Sequence, residues 1–388
     1  MRLTLFGSSL VSAFWNGAAT YYRGMLRALG EHGHEIVFCE PDAFDRQAHR
    51  DLDGDPEYAE VVVYSTGQDR DRLLAQALVE SDWVIKCSGV GVWDAELEEG
   101  LASGGQARTA FWDVDAPATL AAMRASEETT LRALIPTLDH VFTYGGGPPV
   151  VREYRAAGAR ACAPIYNGLD PSAHHPVHAE PKWDVLFMGN RLPDREERVE
   201  EFFVRPAHAL PTHRFALGGS GWEQRDLPPN VTRLGHVPTG AHNRLNASAR
   251  LVLNVHRDAM VANGWSPATR MFEAAGAGAC QITDAWEGIE DFFEPGEEIL
   301  VARDGSDVEG VVRRLAQNDA RRIGRAARRR ALREHTYAMR AEALQAALSA
   351  ATGEARRGQG ASSHQTEEDA FRPTPPVPER TPTAKAGQ

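Results

Sequence analysis

The chain has 388 residues, of which 42% are hydrophobic and 25% charged, and this composition is typical of a globular protein with two domains. Its formal net charge of −12 argues against general nucleic-acid binding and against a polybasic membrane anchor. No apolar stretch approaches the ~18 residues of a transmembrane segment. Residues 1–15 make a poor signal peptide, so a cytoplasmic location is expected.

Strand-like and helix-like segments alternate along most of the chain, a pattern typical of α/β folds with parallel sheets. In the first half, strands are predicted at residues 3–6, 36–39, 61–64, 83–87, 109–112, 141–144 and 161–165. Helical stretches separate most of them, and a polar loop over residues 7–17 joins the first strand to the first helix. Residues 1–166 are therefore predicted to form one Rossmann-like domain.

Residues 167–181 are rich in turn residues and have no apolar period, which predicts an interdomain linker. A second alternation follows, with strands predicted at residues 183–188, 214–217, 231–234, 251–255, 279–283 and 298–301 and long helices at 308–334 and 337–351. Residues 182–352 are therefore predicted to form a second Rossmann-like domain. From 353 to 388, Gly, Ser, Pro and Thr dominate, which predicts a disordered tail.

The most informative segment is residues 263–284, where a loop leads into a helix and then into a strand. Ser266 is expected to cap this helix and Pro267 to take its first position, where a missing N–H leaves no bond unmade. The backbone N–H groups of Ala268 and Thr269 then lie free at the positive end of the helix dipole. This arrangement predicts an anion-binding site.

Two charged side chains follow on the same predicted helix. Arg270 lies one turn in, where its guanidinium adds charge to an anion site, and Glu273 lies three residues later on the same face. A phosphate at the helix start and a carboxylate one turn further suit a nucleotide diphosphate, because the carboxylate accepts hydrogen bonds from two ribose hydroxyls. The alternative is an Arg–Glu pair on a solvated helix face.

The predicted strand at 183–188 runs into a loop that contains Gly189, Asn190 and Arg191, and a helix capped by Asp194 is expected to follow. Parallel sheets bind ligands in the loops at the carboxyl ends of their strands. Arg191 or Arg195 is therefore a candidate for binding a diphosphate. The alternative is an exposed connecting loop.

Two further loops are candidates for lining a cleft. His256 and Arg257 follow the strand at 251–255, although a buried, satisfied histidine is an alternative for the first of them. Asn16 and Gly17 open the first helix but belong to no GxGxxG motif, so a tightly bound dinucleotide is not expected there. That small-residue loop either lines a cleft or forms a plain turn.

Asp113 and Asp115 follow the strand at 109–112, two residues apart. Carboxylates at the carboxyl end of a strand can act as a general base or orient a sugar hydroxyl, so both are catalytic candidates. The alternative for Asp115 is a helix cap. No acidic cluster or CxxC pair is present, and His174 in the linker is expected to be solvated, so no metal site is predicted.

Together these segments resemble the CgeB-like glycosyltransferases, the spore-maturation relatives of the large retaining glycosyltransferase group. The resemblance covers nearly all of residues 1–350. It is carried by WSPATRMFEAAGAGACQITDAWEGIEDFFEPGEEILVA, which begins at residue 265, and by DVLFMGNRLPDREERVEEFF, LGHVPTGAHNRLNASARLVLNVHRDAM and FWDVDAP. The stretch NGLDPSAHHP is similar to the interdomain segment of the broader group.

The resemblance implies a GT-B architecture, in which two Rossmann-like domains face each other across a cleft. It implies an acceptor side in the N-terminal domain and a nucleotide-sugar side in the C-terminal domain. It also implies that no divalent metal is obligatory, since the helix dipole and arginine stabilise the leaving diphosphate. No separate cofactor is then required, because the nucleotide-diphosphate sugar is a co-substrate.

The sequence departs from the broader group at Trp265. The group carries a second Glu there, eight residues before the position of Glu273, and this Glu often contacts the transferred sugar. The identity of the sugar and the stereochemistry therefore do not follow from the resemblance. The leading hypothesis is a glycosyltransferase with an unknown acceptor; the alternatives are a nucleotide-sugar epimerase on the same fold and a non-catalytic structural relative.

Overall fold

The computed structural model describes residues 1–358 except residues 15, 53, 127 and 128, with side chains described as far as residue 350. Each half of the described chain forms a parallel β-sheet with helices between its strands. None of the described helices is long and apolar enough to cross a membrane.

The first sheet contains seven strands, and every strand predicted for this half is confirmed. They are β1 (Arg2–Phe6), β2 (Glu35–Pro41), β3 (Glu60–Tyr64), β4 (Trp83–Cys87), β5 (Arg108–Asp113), β6 (His140–Thr143) and β7 (Cys162–Pro164). Their spatial order is β3-β2-β1-β4-β5-β6-β7, and all neighbouring pairs are parallel. Leu3, Leu5 and Phe6 of β1 have no exposed surface, as expected when helices cover both faces of a parallel sheet.

The helices of this half fall between its strands. They are α1 (Ala19–Glu31), α2 (Gly67–Glu80), α3 (Asp94–Ala102), α4 (Ala116–Ala125), α5 (Thr130–Leu134) and α6 (Gly147–Ala156). Their amphipathic patterns place apolar residues against the sheet: Met25, Leu26 and Leu29 of α1, for example, have no exposed surface.

The second sheet contains six strands, again at the predicted places and with ends displaced by at most two residues. They are β8 (Trp183–Met188), β9 (Phe215–Gly218), β10 (Val231–Gly235), β11 (Ala249–Asn254), β12 (Gln281–Asp284) and β13 (Leu300–Ala302). All pairs are parallel, in the spatial order β10-β9-β8-β11-β12-β13. The prediction of two parallel α/β domains is thus confirmed, while the exact domain limits at 166 and 182 stay predictions.

The helices of the second half include two that the sequence predicted as one. They are α7 (Glu196–Val199), α8 (Arg205–Ala209), α9 (His242–Ser248), α10 (Asp258–Asn263), α11 (Thr269–Gly276), α12 (Gly305–Arg314), α13 (Gln317–Glu334) and α14 (Tyr337–Gly358). The predicted helix at 308–334 is interrupted after Arg314 because Arg250 donates hydrogen bonds to the carbonyl oxygens of Val312 (2.9 Å) and Leu315 (2.7 Å). These bonds satisfy carbonyls at the end of α12 that a continuing helix would use.

The chain passes between the two domains at two adjacent places. The N–H of Leu169 donates to the carbonyl of His335 at 2.7 Å, and the N–H of Tyr337 donates to the carbonyl of Leu169 at 3.0 Å. The Tyr337 ring lies directly against Gly24 of α1, where an added Cβ would be 2.3 Å from it. The start of α14 is therefore packed on the first domain.

Helix α14 extends to Gly358, beyond the predicted end at residue 351. Residues 353–358 are therefore helical where a disordered tail was predicted, because Glu, Ala and Arg in this stretch are good helix formers. The remainder of the predicted tail, residues 359–388, lies outside the described residues.

Candidate functional site

A cavity of about 450 Å³ lies where loops of the two domains meet. Its walls come from the segments that follow β1, β2, β4, β5 and β6 in the first domain and β11 and the start of α11 in the second. The lining residues used below are Ser8, Asn16, Gly17, Arg46, Ser88, Asp115, Asn167, Arg257 and Thr269. The carboxyl ends of parallel strands thus form the site, as in other open α/β sheets.

Asn16 and Gly17, predicted to line a cleft, do lie in the wall of this cavity. The Asn16 side chain is used internally: its Nδ2 donates to the carbonyl of Ser9 at 2.8 Å, and its Oδ1 accepts from the Ser8 hydroxyl at 3.0 Å. A Cβ added at Gly17 would meet no atom of the described residues within 4 Å, so this glycine leaves open space. Asn16 therefore stabilises the loop through hydrogen bonds, and Gly17 leaves open space in the cavity wall.

Glu40 anchors the same loop and was not found from the sequence. It lies near the end of the apolar strand β2 with no exposed surface, and its carboxylate accepts from the N–H of Leu10 (2.6 Å), the Ser9 hydroxyl (3.0 Å) and Gln47 (2.5 Å). A charged residue inside an otherwise apolar strand was the available signal, because a buried carboxylate needs donors.

The structure separates the two catalytic candidates Asp113 and Asp115. Asp113 has no exposed surface; it accepts hydrogen bonds from the Tyr154 hydroxyl (2.5 Å), the Thr119 hydroxyl and the N–H of Asp115 (both 2.9 Å). Burial raises the pKa of Asp113 despite these hydrogen bonds. Asp113 therefore supports the start of α4 from beneath the site, whereas Asp115 lines the cavity.

Asp115 occupies the N-cap position of α4, but its side chain makes no capping hydrogen bond to the described residues of that helix. Its Oδ2 instead accepts from Nη1 of Arg257 at 3.1 Å. This ion pair joins the first domain to the second within the cavity wall. The helix-cap alternative for the Asp115 side chain is therefore wrong.

The start of α11 differs from the prediction. The helix begins at Thr269 with Ala268 as its N-cap, and the Ser266 hydroxyl donates to the carbonyl of Gly264 at 2.8 Å instead of capping. The prediction of Ser266 as cap and Pro267 as first helical residue is wrong, because the preceding turn takes up the hydroxyl and leaves residue 268 extended. The helix start therefore presents the N–H groups of Thr269 and Arg270 with the positive end of the dipole.

Asn167, which the sequence placed in the linker, holds this helix start. Its Nδ2 donates to the carbonyl of Pro267 at 3.2 Å, and its Oδ1 accepts from the Thr269 hydroxyl at 2.9 Å. Asn167 is 1% exposed and borders the cavity. The Asn-Gly pair at the start of the linker was the only sequence signal for it.

Arg195 and Arg270 converge on Gly189 at the end of β8. An added Cβ at Gly189 would lie 2.6 Å from Nη1 of Arg270 and 2.9 Å from Nη2 of Arg195. Arg270 donates to the carbonyl of Met188 and Arg195 to that of Asn190. Among the described residues neither guanidinium forms an ion pair. Burial, followed by the positive charge of Arg270, lowers the pKa of Arg195 to about 9.

The remaining loop candidates are engaged elsewhere. Asn190 accepts from the N–H of Ser220 at 3.0 Å, and Arg191 forms a two-pronged ion pair with Glu196 at 2.6 and 3.0 Å. Asp194 does not cap α7, whose N-cap is Arg195; it accepts from Nε of Arg257 at 2.5 Å. The prediction of an Asp194 cap is wrong because this carboxylate pairs with a guanidinium from another loop.

His256 is buried and hydrogen-bonded, as the alternative in the sequence analysis anticipated. Its Nδ1 lies 2.7 Å from Oδ1 of Asp284, a residue with no exposed surface at the end of β12. Asp284 also accepts from Nη2 of Arg198 at 2.6 Å. Burial raises the pKa of Asp284, but His256 and Arg198 outweigh it and keep that pKa below its usual value.

Glu273 lies between two imidazole rings. Its Oε2 is 3.3 Å from Nδ1 of His242, and its Oε1 is 3.7 Å from Nε2 of His174. Burial raises the pKa of Glu273, but the two rings outweigh it, so this pKa is lowered. Glu273 is only 8% exposed and has no ion pair with Arg270 among the described residues, so the alternative of a solvated Arg–Glu pair is wrong.

The prediction of a solvated His174 is also wrong, since it is 3% exposed.

Within the described part of the chain, no group of three or more His, Cys, Asp or Glu side chains is placed to hold a metal ion. The cations of the site are arginines: Arg195 and Arg270 at the end of β8, Arg257 between Asp115 and Asp194, and Arg46 in the first-domain wall. The arrangement therefore offers a cationic pocket for an anion beside a cavity with one accessible carboxylate.

Residues 195–346 match a family model described as "Glycosyl transferase-like", and no curated protein matches the sequence significantly. Sucrose-phosphate synthase from Thermosynechococcus elongatus is 14% identical with a TM-score of 0.63, over 93% of this chain and 100% of that chain. Anabaena HepE in complex with UDP is 14% identical with a TM-score of 0.64, over 90% of this chain and 99% of that chain. AviGT4, a glycosyltransferase involved in avilamycin A biosynthesis, is 17% identical with a TM-score of 0.60, over 91% of this chain and 98% of that chain. The protein thus has the GT-B fold, and its second domain contains a glycosyl transferase-like sequence.

Proposed function

We propose that the protein is a glycosyltransferase that moves a sugar from a nucleotide-diphosphate sugar to an acceptor bound in the first domain. The observation that carries this proposal is the pair of guanidiniums, Arg195 and Arg270, that lie against Gly189 with no carboxylate partner among the described residues. Two like charges held together and partly desolvated require an anion nearby to be favourable. The diphosphate of a donor supplies it.

The N–H groups at the start of α11 supply the second part of this site. Thr269 and Arg270 open the helix beside the cavity, where the dipole stabilises negative charge. Cleavage of the sugar–phosphate bond puts a developing charge on the leaving diphosphate. Donors already fixed around that position stabilise the transition state without reorganisation.

Glu273 is proposed to bind the donor's ribose. It lies one turn after Arg270 on the same helix, and the lowered pKa keeps it ionised as an acceptor for hydroxyl groups. His242 and His174 lie against its carboxylate and hold it in place. In this role Glu273 acts in donor binding and transfers no proton.

We expect Glu273→Gln to raise the donor KM by roughly tenfold while kcat changes less, because the substitution keeps one acceptor and removes the charge. Steady-state kinetics with a varied donor and a fixed acceptor measure both parameters. His174→Gln is the matched control, since this ring also contacts Glu273 but at the longer distance of 3.7 Å. A kcat loss in Glu273→Gln with an unchanged donor KM contradicts the ribose assignment.

Asp115 is proposed as the carboxylate that meets the acceptor, either as a general base or by orienting a hydroxyl. It lines the cavity from the first domain, and its side chain is 39% exposed. Asp113 was an equal candidate from the sequence, but its oxygens are occupied by internal donors. Asp113 is therefore assigned to supporting the loop that carries Asp115.

We expect turnover to survive excess EDTA, because arginines and a helix start take the place that a divalent cation has in carboxylate-based sites. Product formation is followed in EDTA and again after adding Mg²⁺ or Mn²⁺. Loss of turnover in chelator that either metal restores contradicts metal-independent cleavage.

The donor is identified by thermal stabilisation with UDP-, GDP- and TDP-sugars, since a ligand that binds only the folded state raises its stability. UDP-glucose is the first compound to use, because HepE, a structural neighbour, has been crystallised with it.

Product analysis with and without acceptor then separates a transferase from an epimerase, which needs no acceptor. Failure of every nucleotide sugar to stabilise the protein supports a non-catalytic relative. The assignment to the CgeB-like group stays a prediction.

A further inference from the structure

The first-domain wall of the cavity contains a buried cation without a carboxylate partner among the described residues. Arg46 is 7% exposed, lines the cavity, and donates from Nη1 to the carbonyl oxygens of Ser8 (3.1 Å) and Val90 (3.4 Å). Its Nε has no hydrogen-bond partner in the described part of the chain. No described carboxylate lies within 4 Å of it, whereas Arg257, the other cavity arginine, pairs with both Asp115 and Asp194.

The carboxylate with the strongest influence on Arg46 is already satisfied. Glu40 raises the pKa of Arg46, but burial outweighs it and lowers that pKa. The Glu40 oxygens accept from Ser9, Leu10 and Gln47, as described above. Arg46 is therefore a desolvated guanidinium whose charge is incompletely balanced by the protein, and such a group gains most from an anionic ligand.

The backbone before Arg46 is held in an unusual conformation. Phe44 and Asp45 have φ values of 58° and 55°, a region that residues with a Cβ rarely adopt and that persists only when the surroundings enforce it. The Phe44 ring lies under the Arg46 guanidinium, 4.9 Å from Cζ to the ring centroid. It packs on Gly91, where an added Cβ would be 2.7 Å from the ring. The loop thus fixes the guanidinium against the Phe44 ring, and the same side chain borders the cavity.

Arg46 and Thr269, at the helix start of the proposed donor site, line the same cavity from different domains. Arg257 and Thr269 belong to the second domain, while Arg46, Ser8 and Ser88 belong to the first. An anion bound by Arg46 is therefore placed on the side proposed for the acceptor and not among the groups proposed for the diphosphate. We propose that the acceptor carries an anionic group, a carboxylate or a phosphate, which Arg46 binds in the first-domain wall of the cavity.

This inference rests on the proposed function, because only a transferase binds an acceptor. The experiment below tests the anion site and the proposed function separately. UDP binding is measured first by calorimetry, and the protein saturated with UDP is then titrated with glucose 6-phosphate, glucuronate and glucose. We expect at least one of the two anionic sugars to bind roughly tenfold more tightly than glucose, as a charge-assisted contact implies. The comparison of the two shows whether phosphate or carboxylate is preferred.

Arg46→Gln is expected to abolish this preference while leaving UDP binding unchanged. Arg46→Lys keeps the charge but not the planar guanidinium, so it is expected to retain part of the preference for anionic sugars. It replaces Arg46→Gln in the test if the glutamine variant does not fold. Arg50→Gln is the matched control, because Arg50 lies on the same segment, is exposed and pairs with Asp55. It is expected to keep the full preference.

Equal binding of glucose and both anionic sugars overturns the inference, as does an unchanged preference in Arg46→Gln. Absence of UDP binding contradicts the proposed function alone. In that case the sugar titrations are made without nucleotide in the Arg270→Ala background, which weakens the other anion site. A preference that still depends on Arg46 supports an anion site on this wall, and its absence there overturns it.

Discussion

Arg270→Ala is expected to weaken UDP binding by roughly tenfold to a hundredfold, the loss that follows from removing a charge-assisted contact of about 1.5–3 kcal/mol. Arg270 is one of the two guanidiniums against Gly189, and it also opens α11. Removing it lowers the positive charge and leaves the carbonyl of Met188 without its donor. Calorimetric titration of UDP into folded variant and parent measures the change.

Arg191→Ala is the matched comparison for this experiment. Arg191 lies in the same loop region, but Glu196 already binds its guanidinium in a two-pronged pair. We therefore expect a clearly smaller loss of UDP affinity. If Arg191→Ala weakens UDP as much as Arg270→Ala, the charge of the whole loop matters more than the pocket around Gly189. Unchanged affinity in a folded Arg270→Ala variant contradicts the donor site.

Asp115→Asn is expected to lower kcat by roughly a hundredfold or more, the contribution typical of a positioned general base, while UDP affinity changes little. The substitution keeps the size of the side chain and removes the charge that faces the cavity. Steady-state kinetics give kcat, and calorimetry with UDP gives the affinity in the same preparation.

Asp194→Asn separates catalysis from support of Arg257. Asp194 pairs with the same guanidinium at 2.5 Å but is not among the described residues that line the cavity. A much smaller kcat loss in Asp194→Asn assigns the effect of Asp115 to its own carboxylate. Equal losses in the two variants show that Asp115 acts only by holding Arg257.

The strands were predictable because each carries its own signal. In a parallel sheet covered on both faces, a strand is a short apolar run bounded by turn residues, and all thirteen runs named from the sequence lie in the two sheets. Strand ends were less predictable, as at β12 and β13, because neighbouring strands determine where pairing stops. The break between α12 and α13 depends on Arg250, which lies more than 60 residues earlier in the sequence.

Residues of the candidate site were predictable where their position in the sequence places them at the end of a strand or helix. They were not predictable where the position depends on which hydrogen-bond partner a side chain finds in the folded chain. Gly189, Arg270 and Asp115 follow directly from position along an element. Ser266, by contrast, had the right residue type for a cap, but its hydroxyl bonds within the preceding turn. Arg46 carried no signal at all, since its place depends on a loop with two left-handed residues.

The two chain crossings at Leu169 determine how the domains can move. Because the backbone of Leu169 bonds to both His335 and Tyr337, the two covalent connections form a single joint. Sliding of one domain along the other would shear these bonds, whereas rotation about an axis through the joint preserves them. Relative rotation of the domains is therefore centred near Leu169, and displacements between the domains increase in proportion to distance from it.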